Sequence, residues 1–154
     1  MGTQIRQRAD GGVEFVEDST SSVPLAIGGG YKGVKVAKVA LAGVAATTGG
    51  ALFSWANPEG QSIIVTRLQI DITTKSTGAA NVSFGVAANG TTSSANLIDT
   101  YAAGGTEKVV DNLADAGTNG KVVQKMTSSQ FITGTGSATT AGLVGSVYIH
   151  YVIA

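Results

Sequence analysis

The stretch SIIVTRLQIDIT, residues 62–73, decides the fold class of this 154-residue chain. Apolar and polar side chains alternate along it, which is the pattern of a β-strand with one buried face. On this interpretation one face of the strand carries Ile64, Thr66, Leu68, Ile70 and Ile72. The opposite face carries Arg67, Gln69, Asp71 and Thr73.

The same alternation recurs along the rest of the chain. In residues 142–153 (GLVGSVYIHYVI) it separates Ser146, Tyr148 and His150 from an apolar face of Leu143, Val147, Ile149, Tyr151 and Ile153. In residues 81–88 it groups Val82, Phe84, Val86 and Ala88. Because Phe84 and Ile70 belong to clean apolar rows, we expect both to be fully buried. Further candidate strands are residues 34–39, 51–55, 121–126 and 130–133.

Turn residues separate these strands and set the fold class. Residues 57–60 (NPEG) have the composition of a type I turn, and Asn89-Gly90 and Asn119-Gly120 are typical of tight hairpins. Helical patterning is weak and reaches at most one turn in residues 93–98 and 109–116. Roughly eight strands at short spacing predict an all-β, antiparallel β-sandwich of jelly-roll type, with a small closed barrel as the alternative.

The first 33 residues differ from the body of the chain, residues 34–154. Glycine clusters and a polar stretch surround two apolar islands there, residues 13–16 and 23–27. An extended arm that docks on a partner uses main-chain hydrogen bonds and a few apolar anchors. We therefore predict an extended N-terminal arm whose contact residues are Val13, Phe15, Val16, Leu25 and Ile27. A flexible terminus is the other interpretation.

The composition argues against several functions. The chain has no Cys, a single His and 13% charged residues, so no cysteine nucleophile or cysteine metal site is available. Lysine plus arginine and aspartate plus glutamate each number 10, which argues against direct binding of nucleic acid. There is neither an apolar run of membrane-helix length nor an apolar signal segment, so we expect no membrane contact and synthesis in the cytoplasm.

Few residues remain as candidates for chemistry. His150 has no carboxylate near it in sequence, so we expect a structural role and no enzyme activity. The acidic residues Asp99, Glu107, Asp111 and Asp115 lie in loop-like sequence where a calcium site could form, although a solvated loop is the simpler interpretation. Residues 28–33 (GGGYKG) lack the spacing of a phosphate-binding loop. No cofactor is predicted.

Several segments of the body carry a resemblance to a known family: residues 53–60 (FSWANPEG), 63–67 (IIVTR), 91–99 (TTSSANLID), 117–121 (GTNGK) and 141–151 (AGLVGSVYIHY). Together they resemble the small structural proteins of tailed bacteriophages and prophages that decorate the head, also called capsid cement proteins. The resemblance covers about residues 50–154 and does not include the arm.

The resemblance implies a jelly-roll protomer that forms homotrimers on the outer surface of the virion. Its partner would be the major capsid protein, bound at threefold and quasi-threefold positions and clamped by the arm. We expect the subunit interface to include Trp55, Tyr148 and His150. The family offers no catalytic residue to carry over. The alternatives are another virion component, such as a head-fibre base or a tail protein, and a carbohydrate-binding β-sandwich that uses Trp55 and the tyrosines as platforms.

Overall fold

The computed structural model describes residues 4–7, 13–16, 33–45, 48–105, 108–137 and 139–154. The strands in these segments are β1 (Gln4–Gln7), β2 (Val13–Val16), β3 (Lys35–Ala42), β4 (Phe53–Ala56), β5 (Ile63–Thr74), β6 (Asn81–Ala87), β7 (Ile98–Ala102), β8 (Val109–Asp111), β9 (Gln124–Met126), β10 (Phe131–Gly136) and β11 (Val144–Ile153). The chain divides into two compact units, Met1–Lys32 and Gly33–Ala154. In the first unit, β1 pairs antiparallel with β2.

The second unit is a sandwich of two antiparallel sheets. One sheet has the strand order β3-β11-β5-β8, with β9 also paired to β5, and the other has the order β4-β10-β6-β7. Successive strands change sheet at every step except from β6 to β7 and from β8 to β9. This alternation is the jelly-roll arrangement of two interleaved sheets. The predicted all-β antiparallel sandwich is therefore confirmed.

The core lies between the two sheets and contains the apolar rows of the long strands. Phe84 and Ile70 are 0% and 1% exposed, as predicted from the alternation. The rings of Phe53 and Phe84 stack with their centroids 5.8 Å apart. Gly134 on β10 lies between their two strands, and a Cβ atom there would come within 3.0 Å of both rings. A side chain at this position would push the two rings out of contact.

The predicted faces of β5 are correct only in its second half. Leu68, Ile70 and Ile72 are buried, but so are Ile63 and Val65, whereas Ile64 is only partly buried. The cause is a β-bulge: His150 of β11 pairs with Arg67, and the next residue of β11 pairs with Val65. The extra residue, Thr66, reverses the phase of the alternation. The prediction that Ile64 and Thr66 belong to the buried face is wrong for this reason.

Several local predictions also differ from the structure. Neither Asn-Gly pair has a positive φ, so neither forms the predicted tight hairpin. Asn89 instead accepts hydrogen bonds from Thr91 and Thr92, and Asn119 bonds to Asp99. Residues 109–116 begin as β8, and the predicted single turn follows it, closed by a hydrogen bond from the Asp115 N–H to the Asp111 carbonyl at 2.7 Å. The strand predicted for residues 121–126 is reduced to β9. Ala88 is exposed beyond the end of β6. The Asn89 side chain is held within its own loop, whereas the Asn119 side chain is held by Asp99, which lies 20 positions earlier in the chain.

Candidate functional site

Trp55 lies at the edge of the four-stranded sheet, on β4, and packs against the core. Its ring is 5.5 Å from the ring of Tyr151, measured between centroids, and the two planes are tilted by 54°. The hydroxyl of Tyr151 donates to Glu59 at 2.8 Å. Burial and the neighbouring Glu59 carboxylate raise the pKa of Tyr151 to about 12. Trp55 is therefore a partly buried residue that joins the two sheets at one end.

Glu59 is held in place by the turn that follows β4. The amide of Asn57 donates to the carbonyls of Gln61 and Thr127, and its oxygen accepts from the Glu59 N–H. Gly60 closes the turn with φ +64°, a value that favours glycine. Lys35 of β3 then reaches both oxygens of Glu59, at 2.7 and 2.8 Å. These contacts tie the edge of one sheet to the edge of the other.

Tyr148 and His150 lie on the outer face of the five-stranded sheet, opposite the buried Val147, Ile149 and Tyr151. The predicted division of β11 into two faces is thus confirmed. In the register of the sheet, Tyr148 lies between Lys38 and Gln69, and His150 lies between Val36 and Arg67. The Lys38 ammonium is 5.4 Å from the centroid of the Tyr148 ring, as in a cation–π contact. This face therefore combines aromatic and charged side chains.

The ring of His150 has a polar neighbour on the same face. Its Nε2 atom is 3.0 Å from the side-chain oxygen of Gln69. Burial, with a smaller contribution from the Arg67 charge, lowers the pKa of His150 below its ordinary value of 6.5. Among the described residues, no carboxylate or hydroxyl forms a hydrogen bond with this ring. The geometry is that of a neutral imidazole packed on a polar sheet surface.

We expect His150→Gln to change the free energy of unfolding by about 1 kcal/mol or less at pH 7, because glutamine can also bond to Gln69.

The stability of the variant should also depend less on acid than that of the unchanged protein. Since the folded-state pKa of His150 is lowered, the unfolded chain takes up the proton first, and stability is lost as the pH falls below about 6.5. Urea denaturation at pH 7.5 and 5 should show a smaller acid loss in His150→Gln. An equal loss of stability between pH 7.5 and pH 5 in the unchanged protein and in His150→Gln would contradict a lowered pKa of His150 in the folded state.

Arg67 and Asp111 form an ion pair across β5 and β8 on the same face. The Arg67 hydrogen bond lowers the pKa of Asp111, and the backbone N–H groups of Ala114 and Leu113 contribute in the same direction. The other oxygen of Asp111 accepts from these two N–H groups at 3.0 and 2.9 Å. Asp111 therefore fixes the start of the loop after β8, where it would be unavailable to a metal ion without losing these bonds.

The structure does not bring the acidic residues together as a calcium site. Asp99 bonds to Thr100 and Asn119, and these bonds lower its pKa. Asp115 lies near Lys108, and Glu107 is outside the described residues. In the described part of the chain no group of three or more His, Asp and Glu side chains could hold a metal ion. No helix in these segments is long and apolar enough to cross a membrane.

The predicted contact residues are distributed over several parts of the chain. Val13, Phe15 and Val16 belong to β2, whereas Leu25 and Ile27 lie outside the described residues. Tyr148 and His150 share the outer face of one sheet, and Trp55 belongs to the other sheet. The structure therefore unites two of the three predicted interface residues on one face. The role of the arm stays a prediction.

Sequence reasoning missed an exposed apolar group in the loop between β8 and β9. Leu113, Val122 and Val123 are each about half exposed there. The sequence pattern predicts a strand at Val122 and Val123, where the structure has a loop, and places Leu113 in a single turn, which the structure contains. The signal that could have revealed them is the presence of apolar side chains within a stretch rich in Asn, Asp and Gly.

The fold of this chain is similar to that of a chain in a solved capsid structure. A chain in "Capsid of Ralstonia phage GP4" matches with a TM-score of 0.54, over 88% of this chain and 93% of that chain. Sequence identity over the match is 16%, so the similarity establishes a common fold. No protein-family model matches the sequence, and no curated protein matches it either.

Proposed function

We propose that this protein decorates and stabilises the capsid of a bacteriophage by binding the outer surface of the major capsid protein shell. The observation that carries the proposal is the fold similarity to a chain of the phage GP4 capsid, which extends over nearly all of both chains. The resemblance of residues 50–154 to head decoration proteins supports the same role. The role is structural and requires no catalytic residue or cofactor.

The surface chemistry supports a protein partner. The outer face of the five-stranded sheet carries Tyr148, His150 and Arg67, and tyrosine and arginine are enriched in protein interfaces. The net charge of +0 offers no general attraction to nucleic acid. We propose that the protein acts as a homotrimer at threefold and quasi-threefold positions, with Tyr148 and His150 in the subunit contact. Trp55 contributes by supporting the sheet edge through Tyr151.

Trimers would strengthen attachment without any strong single contact. Once one subunit is bound, the second and third bind at a high effective concentration. A threefold assembly is also closed, so it does not grow into fibres. Both properties suit a protein that must cover many equivalent shallow sites on a shell.

The experiment that tests the proposal is cosedimentation of the purified protein with phage heads stripped of their decoration protein. We expect saturable binding to the heads and a higher temperature of head disruption in its presence. Bovine serum albumin at equal concentration serves as the control for trapping in the pellet. Absence of saturable binding to any head type, with folded protein, would contradict the proposal.

The arm gives a sharper prediction for the same assay. We expect deletion of residues 1–30 to leave a folded body, because the buried core cluster of the described residues runs from Leu41 to Tyr151. Its affinity for heads should fall at least about tenfold, or about 1.4 kcal/mol, through loss of the anchors Val13, Phe15, Leu25 and Ile27. Circular dichroism should remain that of a β protein. Unchanged affinity of the truncated protein would contradict the docking role of the arm.

The carbohydrate-binding alternative finds less support. A sugar platform needs an open aromatic face, and the Trp55 ring packs against Tyr151 at the edge of the core. The alternative of a head-fibre base or tail protein uses the same fold, and cosedimentation with isolated heads and isolated tails separates it from decoration.

A further inference from the structure

The two Asn-Gly pairs of the chain, Asn89-Gly90 and Asn119-Gly120, differ in the contacts of their side-chain amides. Both asparagines are exposed and both glycines are partly buried. Within the described residues, no backbone carbonyl accepts a hydrogen bond from the N–H of either glycine. The two pairs are therefore matched in dipeptide, exposure and backbone bonding, and the surroundings of the asparagine amide distinguish them.

An asparagine followed by glycine can modify itself, because glycine has no side chain to hinder attack by its own backbone nitrogen. The glycine nitrogen forms a bond to Cγ of the asparagine, and the bond from Cγ to Nδ2 breaks. Nδ2 leaves as ammonia with the proton of the glycine N–H, so a cyclic succinimide remains. Water then opens the ring to aspartate or isoaspartate. During the attack, negative charge develops on the asparagine Oδ1.

The Oδ1 atom of Asn89 is surrounded by three hydrogen-bond donors. The Thr91 N–H and the Thr91 hydroxyl each donate to it at 3.0 Å, and the Thr92 hydroxyl donates at 2.9 Å. Donors already placed around an oxygen that gains negative charge lower the barrier, because they need no reorganisation during the reaction. In the described part of the chain no partner bonds Nδ2 of this exposed side chain, so ammonia can leave into solvent.

The fold keeps these donors in place. The buried Thr133 of β10 donates its hydroxyl to the carbonyl of Thr92 at 2.8 Å. On the other side of the loop, the carbonyl of Gly90 packs against Gly50, where a Cβ atom would overlap the Gly90 oxygen. The loop is thus anchored at both sides of the reacting pair, and the Gly90 nitrogen can approach Cγ without breaking a backbone hydrogen bond.

Asn119 has the opposite arrangement. Its Nδ2 donates to the Oδ2 atom of Asp99 at 2.7 Å, and its backbone N–H donates to the same oxygen at 3.2 Å. The nitrogen that would have to leave is therefore held. The charge of the Asp99 carboxylate also opposes the negative charge of the attack and any new carboxylate formed at position 119.

We propose that Asn89 is a site of self-deamidation, at which the Gly90 nitrogen displaces ammonia, and that the fold suppresses the same reaction at Asn119. An aspartate formed at position 89 keeps an oxygen for the three donors, so the loop keeps its bonds. The reaction adds negative charge just after β6 to a chain whose formal net charge is +0. It needs no partner, so its outcome is independent of the proposed capsid role.

Incubation of the folded full-length protein at mildly alkaline pH, followed by peptide mapping with liquid chromatography and mass spectrometry, tests this site. We expect aspartate and isoaspartate to accumulate at position 89 at least about tenfold faster than at position 119. Two synthetic peptides, residues 86–93 and 116–123, are the control, because they keep each local sequence without the fold. Their rates should agree within about threefold, since both contain an unhindered glycine.

Removing the hydroxyl donors tests the cause of the difference. The double variant Thr91→Val with Thr92→Val should slow the reaction at Asn89 at least about fivefold and leave Asn119 unchanged. Thr118→Val is the matched control, because Thr118 is an exposed threonine beside the other pair, and it should change neither rate. Circular dichroism verifies that each variant is folded, and the two single variants carry the same test if the double variant is not.

Three results would each overturn the proposal. They are equal rates at the two positions in the folded protein, a difference of the same size already present in the peptides, and an unchanged rate at Asn89 in the folded valine variants. Failure of the protein to bind phage heads would contradict the proposed function and leave this site standing.

Discussion

Replacing Phe84 with alanine is expected to lower the free energy of unfolding by about 3–5 kcal/mol, the usual range for a buried aromatic residue. Phe84 is 0% exposed and its ring stacks on Phe53 across the narrow space above Gly134. The substitution removes these contacts and leaves a cavity that the two sheets could fill only by moving closer together. Since domains of this size have a total stability of about 5–15 kcal/mol, the effect is a large part of the whole.

Urea denaturation followed by circular dichroism measures this loss. Val144→Ala serves as the control, because Val144 lies in a strand of the same sandwich but is half exposed, and it should change the stability by less than about 1 kcal/mol. A loss for Phe84→Ala as small as that of the control would mean that the inner face of β6 is assigned wrongly.

Replacing Asn112 with alanine is expected to cost about 2–4 kcal/mol, because each buried polar group left without a partner costs about 1–3 kcal/mol. The buried N–H of Leu68 is left without its partner, and the part-buried carbonyls of Lys121 and Val122 lose the bonds that close the loop. Asn112→Asp should be at least as damaging at neutral pH. It keeps an oxygen for Leu68 but turns a second, charged oxygen towards the two carbonyls.

Thermal and urea unfolding measure this effect, and Asn89→Ala provides a matched control. Asn89 also bonds to its own loop through its side chain, but it is exposed, so water can replace the lost bonds. We expect a loss below about 1 kcal/mol for the control. Similar losses at both positions would show that the buried bonds of Asn112 do not fix the loop.

The faces of β6 and β11 illustrate what could be predicted from the sequence. Their alternation is regular, and a strand at the boundary of a core has only one stable orientation for an apolar row. The absence of helical periodicity and the density of turn residues were sufficient for the sandwich, and the burial of Phe84 and Ile70 followed from the same pattern. Tyr148 and His150 were correctly assigned to the face opposite the core.

The first half of β5 shows where this reasoning ends. The bulge at Thr66 depends on how β5 pairs with β11, 84 positions further along the chain, where the Thr66 hydroxyl donates to the carbonyl of His150. Nothing local to residues 62–66 reveals that pairing. The two Asn-Gly pairs also depart from the preference of the dipeptide for a hairpin, because Asn89 bonds within its own loop and Asn119 bonds to Asp99.

The sequence by itself determined the class of fold, the inner rows of β6 and β11, and the scarcity of groups able to perform chemistry. Periodicity and composition are properties of short segments, so they can be read without knowing which segments meet. Only the tertiary structure decided the position of Trp55 against Tyr151, the burial of Asn112 and the exposure of the apolar residues in the loop between β8 and β9. Each of these depends on contacts between residues that are distant in the chain, and the free energy of such contacts outweighs the local preferences of the residues involved.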